Sequence, residues 1–393
     1  MDKTVVFIPA RGGSKSIPLK NIKELCGKPL VYWTAKAGCE AESVDRVYIA
    51  TDSPEIRNAI QNFSRTEKEL FSKLEVIGRS DENANDTAST ESVMLEFARK
   101  YEFETIILVQ ATSPLLQGKD IDEGMKLFNT PDTDSVISLV PQKRFIWKCE
   151  GDVVQPSNYD VYHRPRRQDF DGYLMENGAF YITSKEALLK TGNRISGNIR
   201  AYLMAEQTAI EIDEPSDFII VEDLLRKNLR EERKQKPIKI KMVVTDCDGC
   251  LTDGGMYYSE NGDELKKFNT KDGMALAHLK DKGIIAGIIT GEDRELNRRR
   301  AEKLHLDFIE QGVKDKLSCL KSLCDKYGVL LNEVLYIGDD INDIPAMDAA
   351  GYSACPADAA ELVRRNADFV SEKNGGEGVV REIIEKIVDI NIE

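Results

Sequence analysis

The sequence predicts two α/β domains, each built around a mostly parallel β-sheet with helices on both faces. Short β-branched runs alternate with helical stretches along almost the whole chain, a pattern typical of parallel strands joined by crossover helices. At about 150 residues per domain, a chain of 393 residues has room for two or three domains. The stretch 226–241 holds eight Lys or Arg against two Glu, as expected for an exposed linker. We therefore predict domains over 1–232 and 233–393.

The apolar runs place the strands and helices of both domains. In the first domain, strands are predicted at 4–9, 46–52, 105–110 and 135–140, with helices near 28–41, 54–64, 90–101 and 119–129. In the second domain, the strand segments are KIKMVVTD, IIAGIIT, VLYIGDD and the short DFV. Only about 40 residues lie between Asp248 and Thr290, too few for a large inserted domain. A small hairpin over 254–268 is expected there instead.

Composition excludes several classes of protein. The formal net charge of −14 argues against a general nucleic-acid binder, which would present a basic face. No segment approaches the roughly 18 uncharged apolar residues of a membrane span, and the N-terminus lacks the apolar region of a signal peptide. Eight cysteines are scattered along the chain rather than grouped into a disulfide or zinc-ribbon framework. We therefore expect a soluble cytoplasmic protein that binds neither nucleic acid nor membrane.

A basic, glycine-containing loop follows the first predicted strand and reads ARGGSKSIPLKN over 10–21. Glycines after a strand let backbone N–H groups approach an anion, and Arg11, Lys15 and Lys20 add positive charge. This combination suits a nucleoside triphosphate, although its spacing matches neither a P-loop nor G-x-G-x-x-G. Taken alone, the segment is explained equally well as an exposed basic turn.

Further segments in the same order give the first domain a resemblance to the CMP-sialic acid synthetases. Their loop reads ARGGSKGIPLKNI and is here ARGGSKSIPLKNI. The other matching segments are Ser80 with DTAST (86–90), QATSP (110–114), RPRRQD (164–169), ENGAFY (176–181) and EID (211–213). Together they cover roughly 225 residues, so a chance match is not a serious alternative.

The resemblance implies transfer of CMP from CTP to the anomeric hydroxyl of a nine-carbon α-keto acid. Such a step depends on positioning and charge neutralisation, with Lys20 as a catalytic cation and Mg²⁺ at Asp213. The implied triphosphate contacts are Arg11, Ser14, Lys15, Lys20 and Asn21. The implied sugar contacts are Gln110 and Asn177, with Arg166 and Arg167 for the carboxylate. A solvated basic turn is the alternative for these two arginines.

Two positions depart from the family pattern. Glu211 stands where the acidic segment commonly begins with Asp, but alternation in a strand puts its carboxylate on the same face as that of Asp213. A longer Glu211 side chain is therefore still expected to reach the metal ion. Ser16 replaces a usual glycine, which matters only if that position requires a positive φ.

The second domain begins with a predicted strand that delivers Asp246 and Asp248 to its carboxyl end, where open α/β sheets bind ligands. Two carboxylates at this spacing can divide the work, Asp246 as nucleophile and Asp248 as general acid and then base. An isolated Asp-x-Asp would be weak support, but three further pieces follow it. They are Thr290 and Gly291 for phosphate, Lys316 to neutralise the transition state, and Asp339 to hold Mg²⁺ with Asp246 and Asp248.

This order of pieces resembles the haloacid dehalogenase-type phosphatases. The segments FNTKDG (268–273), QGVKDK (311–316), GDDINDIP (338–345) and GGEGVVRE (375–382) are most similar to 3-deoxy-octulosonate 8-phosphate phosphatases. That resemblance implies a capless domain, a homotetramer assembled through it, and Arg381 reaching the substrate of a neighbouring subunit. The predicted fold is therefore two Rossmann-like α/β domains, a nucleotidyltransferase followed by a capless haloacid dehalogenase-like domain.

Vertebrate CMP-sialic acid synthetases carry a similar C-terminal half in which the leading aspartate is missing. Here both Asp246 and Asp248 are present, which predicts a working phosphatase. The leading hypothesis is a bifunctional enzyme with Mg²⁺ in both domains, acting on CTP and an N-acylneuraminate or KDN-type acid or its 9-phosphate. Two alternatives stay open: another keto acid, such as legionaminic, pseudaminic or octulosonic acid, and a C-terminal domain that serves only assembly.

Overall fold

The computed structural model describes residues 3–13, 16–83, 88–235, 239–258, 260 and 264–388. The chain divides into two compact units, Met1–Lys227 and Asn228–Glu393. This division lies inside a helix that ends at Gln235, the same helix that contains the boundary expected at 232/233. In the described part of the chain, no helix is both long and apolar enough to cross a membrane.

The first unit contains a seven-stranded sheet with helices packed around it and two separate strand pairs. Its strands are β1 (Thr4–Pro9), β2 (Glu24–Leu25), β3 (Lys28–Pro29), β4 (Arg46–Ala50), β5 (Leu74–Ile77), β6 (Thr105–Val109), β7 (Ser135–Gln142), β8 (Trp147–Glu150), β9 (Val153–Pro156), β10 (Tyr173–Ser184) and β11 (Ile199–Leu203). Its helices are α1 (Leu30–Glu40), α2 (Pro54–Thr66), α3 (Thr90–Lys100), α4 (Gly118–Phe128), α5 (Lys185–Thr191) and α6 (Pro215–Gln235), which contains the division. The two separate strand pairs are β2 with β3 and β8 with β9.

The strand order of this sheet is β11-β7-β10-β6-β1-β4-β5. All neighbouring pairs are parallel except those of β10, which runs antiparallel to both β6 and β7. The strands predicted at 4–9, 46–52, 105–110 and 135–140 coincide with β1, β4, β6 and β7. Within this sheet, β5, β10 and β11 were not predicted: β5 is only partly buried, β10 contains polar residues, and β11 is an edge strand that is almost wholly exposed.

The second unit contains a six-stranded sheet in which every neighbouring pair is parallel. Its strands and those of a small hairpin are β12 (Met242–Thr245), β13 (Tyr257–Tyr258), β14 (Glu264–Leu265), β15 (Ile285–Ile289), β16 (Phe308–Glu310), β17 (Val334–Ile337), β18 (Tyr352–Cys355) and β19 (Phe369–Val370). Its helices are α7 (Thr270–Asp281), α8 (Glu295–Lys303), α9 (Lys316–Tyr327), α10 (Ile344–Ala349), α11 (Glu361–Asn366) and α12 (Val379–Ile383), which continues as a wider turn to Val388.

The central strand of this unit is β12, which lies between β15 and β17 in the order β16-β15-β12-β17-β18-β19. Alternate residues of β12 enter two cores, Val243 on one face and Met242 and Val244 on the other. Burial on both faces explains why this strand reads as a continuous apolar run. The small hairpin expected after β12 is confirmed as the antiparallel pair β13 and β14. The fold class predicted from the sequence is therefore confirmed.

Candidate active sites

A cleft of about 430 Å³ opens in the first unit beyond the carboxyl ends of the adjacent strands β1 and β6. Its lining includes six residues that the sequence analysis had assigned to substrate or metal. They are Arg11, Lys20, Asn21, Gln110, Glu211 and Asp213. Parallel strands bring these distant segments together because their carboxyl ends meet at one edge of the sheet.

The basic loop is tied directly to the acidic segment across this cleft. Lys20 Nζ donates to the Ile212 carbonyl at 2.7 Å and to Asp213 Oδ1 at 3.1 Å. Ser16 Oγ donates to the Asp213 carbonyl at 2.6 Å, and Ser16 is not among the residues with positive φ. The Lys20 side chain is 12% exposed, whereas that of Asp213 is 72% exposed. The Asp213 carboxylate is therefore accessible to a cation or a phosphate-bound ion in the cleft.

Glu211 lies deeper than Asp213. The two residues flank the fully buried Ile212 in an irregular segment before α6, not in a paired strand as expected. Burial raises the pKa of Glu211, the carboxylates of Asp213 and Glu176 raise it further, and Lys20 opposes them. Gly178, at φ +62°, leaves room for this carboxylate, since a Cβ there would lie 2.7 Å from both oxygens.

Among the described residues, the other three assigned to sugar, Asn177, Arg166 and Arg167, are not part of this lining. Asn177 is fully buried, accepts from Ser138 Oγ at 2.8 Å and donates to the Thr208 carbonyl and hydroxyl at 3.2 Å. Its amide therefore joins β10 to the neighbouring turn. Arg166 and Arg167 are exposed on a loop, and the positions Ser14 and Lys15 lie outside the described residues.

In the second unit, Asp246 immediately follows β12 and has both carboxylate oxygens occupied. Its Oδ1 accepts the Cys247 N–H at 2.7 Å, and its Oδ2 lies 2.9 Å from Lys316 Nζ. Lys316 begins α9, its side chain is fully buried, and it also donates to Asp343 Oδ1 at 2.7 Å. The fully buried lysine thus joins the predicted nucleophile to the loop after β17.

Three carboxylates converge beside Lys316. Oxygens of Asp246, Asp339 and Asp343 lie within 4.8 Å of one another. Burial raises the pKa of Asp246 to about 7, with Asp343 adding to the shift and Lys316 opposing it. Burial raises the pKa of Asp339 to about 8, with Asp246 adding to the shift. Because one lysine does not balance this negative charge, a hard divalent cation such as Mg²⁺ fits the donor set.

Asp343 was not individually assigned, although it lies in the predicted acidic segment, at the end of the short helical turn Ile341–Asp343 that follows Asp339. Its Oδ1 also accepts the Tyr336 hydroxyl at 3.0 Å, and its Oδ2 accepts the backbone N–H groups of Asp339 at 3.2 Å and Asp340 at 3.3 Å. It therefore holds the loop after β17 in place as well as contributing charge.

Asp248 is not a member of this three-carboxylate group and bonds to other side chains. Its Oδ1 accepts the Thr252 hydroxyl at 3.2 Å, and its Oδ2 accepts from Lys266 Nζ at 2.8 Å. Between Asp246 and Thr252 the chain turns at Gly249, whose φ is +83°, and a Cβ there would lie 2.0 Å from Asp339 Oδ2. Glycine is thus required for the two loops to approach. Lys266 carries no motif that would identify it from sequence.

The predicted phosphate-binding pair lies at the end of β15, next to β12. The Thr290 hydroxyl accepts the Glu292 N–H at 3.4 Å, and the Thr290 carbonyl accepts the Val313 N–H at 3.1 Å. Around Gly291 an added Cβ would meet only the Val313 carbonyl, at 3.9 Å, so an anion has room to approach the backbone. Arg381 lies elsewhere, on α12, where its Nε pairs with Glu385 at 2.6 Å.

Comparison with known proteins matches both units. Residues 5–236 match a cytidylyltransferase family and residues 292–383 a haloacid dehalogenase-like hydrolase family. N-acylneuraminate cytidylyltransferase A of Danio rerio is 32% identical over 97% of this chain and 88% of its own. The 3-deoxy-D-manno-octulosonate 8-phosphate phosphatase of Haemophilus influenzae is 37% identical over 39% of this chain and 86% of its own.

Among solved structures, the corresponding phosphatase of Moraxella catarrhalis is 40% identical and covers 40% of this chain and 91% of its own, with a TM-score of 0.39. That crystal structure is a complex with a magnesium ion, a phosphate ion and a KDO molecule. The family matches and the two relatives confirm both resemblances inferred from the sequence.

Proposed function

Because the chain belongs to the cytidylyltransferase family and carries a haloacid dehalogenase-like phosphatase domain, we propose that it is a bifunctional enzyme of sialic-acid activation. The first unit transfers CMP from CTP to an N-acylneuraminate or KDN-type nine-carbon acid. The second unit removes the 9-phosphate from the same kind of acid. The observation that carries the bifunctional proposal is the contact of Asp246 with the fully buried Lys316 beside two further carboxylates.

In CMP transfer, the anomeric hydroxyl attacks the α-phosphorus of CTP, the bond to the β-phosphate breaks and pyrophosphate leaves. Arg11 and Lys20 line the cleft together and supply positive charge for the triphosphate and the departing pyrophosphate. Gln110 lies in the same lining and is our candidate sugar contact. Asn177, Arg166 and Arg167 stay predicted sugar contacts that a substrate complex would test.

Metal binding in the first unit is proposed at Asp213, with Glu211 beside it. An Mg²⁺ ion held there would neutralise phosphate charge during transfer. The raised pKa of the half-buried Glu211 carboxyl, caused by burial and then by Asp213, supports a cation at this position. Lys20 already occupies one Asp213 oxygen, so its ammonium group keeps that carboxylate oriented toward the cleft.

In phosphate removal, an Asp246 oxygen attacks phosphorus while the bond to the sugar oxygen breaks and Asp248 delivers a proton to that oxygen. Water, deprotonated by Asp248, then attacks the aspartyl-phosphate, which releases phosphate and restores Asp246. Thr290 and Gly291 would hold phosphate oxygens, and Lys316 would balance the charge that develops on them.

The second unit would hold Mg²⁺ through Asp246, Asp339 and Asp343, whose oxygens lie within 4.8 Å of one another. The ion would supply neutralisation of the phosphate charge as it approaches a carboxylate nucleophile. Lys316 remains in contact with Asp246 and Asp343, so it fixes the direction in which the nucleophilic oxygen points. Asp248, whose carboxylate bonds to Thr252 and Lys266, is proposed as the proton carrier and only as a secondary metal contact.

We further propose a homotetramer assembled through the second unit and located in the cytoplasm. The β13–β14 hairpin exposes Tyr257, Tyr258 and Leu265, an apolar surface suited to another subunit. The Arg381 side chain is 43% exposed, and its guanidinium would exchange Glu385 for a neighbouring subunit's substrate. All eight cysteines are thiols, in keeping with a reducing compartment. Light scattering of a Tyr258→Ser variant should show dissociation, and an unchanged tetramer would exclude the hairpin as the contact.

The test of the bifunctional proposal is mass spectrometry of the products formed with Mg²⁺, CTP and either Neu5Ac 9-phosphate or KDN 9-phosphate. We expect free phosphate and a CMP-sugar without its 9-phosphate, and the faster ester identifies the preferred acid. A CMP-sugar that keeps the 9-phosphate would exclude the phosphatase step. Failure to form any CMP-sugar from either ester or from the free acids would exclude the sialic-acid assignment.

The Asp246→Asn variant tests the phosphatase step separately, since it keeps the size of the side chain and most of its hydrogen bonds but removes the nucleophile. We expect it to abolish phosphate release and to leave CMP transfer from the free acid unchanged, because Asp246 belongs to the second unit. Unchanged phosphate release would show that the aspartyl-phosphate assignment is wrong.

A further inference from the structure

Lys266 makes contacts that neither the cytidylyltransferase segments nor the phosphatase segments of the sequence predicted. It follows β14 at the base of the small hairpin, and its side chain is fully buried. Its Nζ donates to Asp248 Oδ2 at 2.8 Å and to Glu292 Oε2 at 3.0 Å. These two carboxylates come from different loops, one after β12 and one after β15. Lys266 therefore bridges the two loops that would surround the scissile phosphate ester.

The amine of Lys266 stays charged in this position. Burial alone would lower its pKa, but the hydrogen bonds to Asp248 and Glu292 outweigh that penalty and leave the pKa raised. A buried ammonium between two carboxylates is costly to reorient, because breaking either contact leaves a charge without its partner. A pairing of Thr252 with Phe268 also closes the hairpin base, which limits the movement of Lys266 itself.

We propose that Lys266 is the positioning residue for Asp248, holding its carboxylate in the orientation needed to protonate the sugar oxygen. The inference rests on the proposed phosphatase function of the second unit. Among the described residues, two side chains hydrogen-bond to Asp248, Thr252 on Oδ1 and Lys266 on Oδ2. Of these two, Lys266 is the charged one and the one that reaches Asp248 from outside the loop that carries it.

This role predicts a dependence on the leaving group. A sugar alkoxide leaves slowly unless its oxygen receives a proton as the P–O bond breaks, whereas p-nitrophenolate leaves readily without one. Loss of Lys266 should therefore lower kcat/KM for the sugar 9-phosphate far more than for p-nitrophenyl phosphate. The parameter kcat/KM is the relevant one because it reports the steps through the first P–O cleavage.

The test compares Lys266→Met with Lys267→Met, the neighbouring lysine. Lys267 is 61% exposed and lies 3.6 Å from Asp253, so its removal is a matched surface change. We expect Lys266→Met to lose about 10²-fold in kcat/KM on the 9-phosphate, the range of a positioned general acid. On p-nitrophenyl phosphate the loss should stay below about fivefold. Lys267→Met should match the wild type on both esters, and Lys266→Arg should recover much of the loss.

Three results would overturn the inference. Equal losses on both esters would indicate general damage to the site rather than loss of proton delivery. If Lys266→Met is as active as Lys267→Met on the 9-phosphate, the contact between Lys266 and Asp248 does not contribute to phosphate release. A further loss when Lys266→Met is added to Asp248→Asn would show that Lys266 does not act through Asp248. A wild-type enzyme inactive on both esters would instead overturn the phosphatase assignment, and this inference with it.

Discussion

Replacing Lys316 with Met tests whether the second unit depends on one buried charge for both stability and chemistry. The lysine side chain is fully buried, with Nζ 2.9 Å from Asp246 Oδ2 and 2.7 Å from Asp343 Oδ1. Removing one partner of a buried ion pair costs about 3–5 kcal/mol, because the remaining charge is left unpaired. We expect the lower end, about 3 kcal/mol, because Asp246, whose pKa burial already raises to about 7, can take up a proton.

The same substitution should reduce phosphate release by about 10²–10³-fold, the effect of losing one preorganised electrostatic contact. Lys316 lowers the pKa of Asp246, so its loss favours the protonated acid, which is a poor nucleophile. CMP transfer from the free acid should be unaffected, since Lys316 belongs to the second unit. Lys321→Met is the matched control, an exposed lysine on the same helix.

Stability can be assigned to each unit by its chromophores. Both tryptophans, Trp33 and Trp147, lie in the first unit, so their fluorescence reports denaturant unfolding of that unit. Far-ultraviolet circular dichroism reports both units. We expect Lys316→Met to shift a transition in circular dichroism to a lower denaturant concentration. The midpoint of the transition in tryptophan fluorescence should not change. A variant that keeps phosphatase activity, or loses less than about 1 kcal/mol of stability, would refute the reasoning.

Three further predictions test the first cleft and the metal group. Lys20→Met should lower the kcat of CMP transfer, measured by pyrophosphate formation, by about 10²-fold. Phosphate release by the second unit should not change, and an unaltered kcat of CMP transfer would show that Lys20 is not catalytic. Gly178→Ala places a Cβ 2.7 Å from Glu211 at a φ of +62°, so we expect a stability loss of about 1–2 kcal/mol and weaker CMP transfer, whereas Gly192→Ala, with open space at φ +71°, should lose stability alone. In EDTA, the second unit should become less stable as pH rises from about 4 toward 8, because burial raises the pKa of folded Asp246 to about 7 and of Asp339 to about 8 above their unfolded values. Mg²⁺ should restore more stability at pH 8 than at pH 5. A melting temperature that rises with pH in EDTA would contradict the predicted loss of stability.

Much of the fold followed from local patterns. Residues 4–9 and 242–245 are apolar and β-branched because they form β1 and β12, which are buried on both faces of parallel sheets. The strands β5 and β11 escaped prediction because both lie at edges of the sheet, where β11 is almost wholly exposed and β5 has only Ile77 buried. In β10, the antiparallel partner of β6 and β7, the polar residues Glu176 and Asn177 interrupt the apolar run.

The candidate sites likewise contain residues that the sequence predicted and residues that only the fold reveals. Asp246, Asp339 and Lys316 were predicted as site residues from their positions after or at the start of an element and from an order of pieces that resembles the haloacid dehalogenase-type phosphatases. Lys266 was not, since a lysine beside a hairpin carries no pattern until the fold brings Asp248 and Glu292 to it. For Asn177, a predicted sugar contact, the fold adds hydrogen bonds of its amide to Ser138 and Thr208 that the sequence did not indicate.

The sequence by itself determined the two α/β units and the cytidylyltransferase family, and it supplied Asp246, Asp248 and Asp339 as the predicted reactive carboxylates. These properties depend on residue type and on spacing within one segment, which a sequence displays directly. Tertiary structure alone decided that Lys316 joins Asp246 to Asp343 and that Lys266 joins Asp248 to Glu292. Both contacts link residues far apart in the chain, and their strength comes from burial, which exists only once the sheet and its loops have assembled.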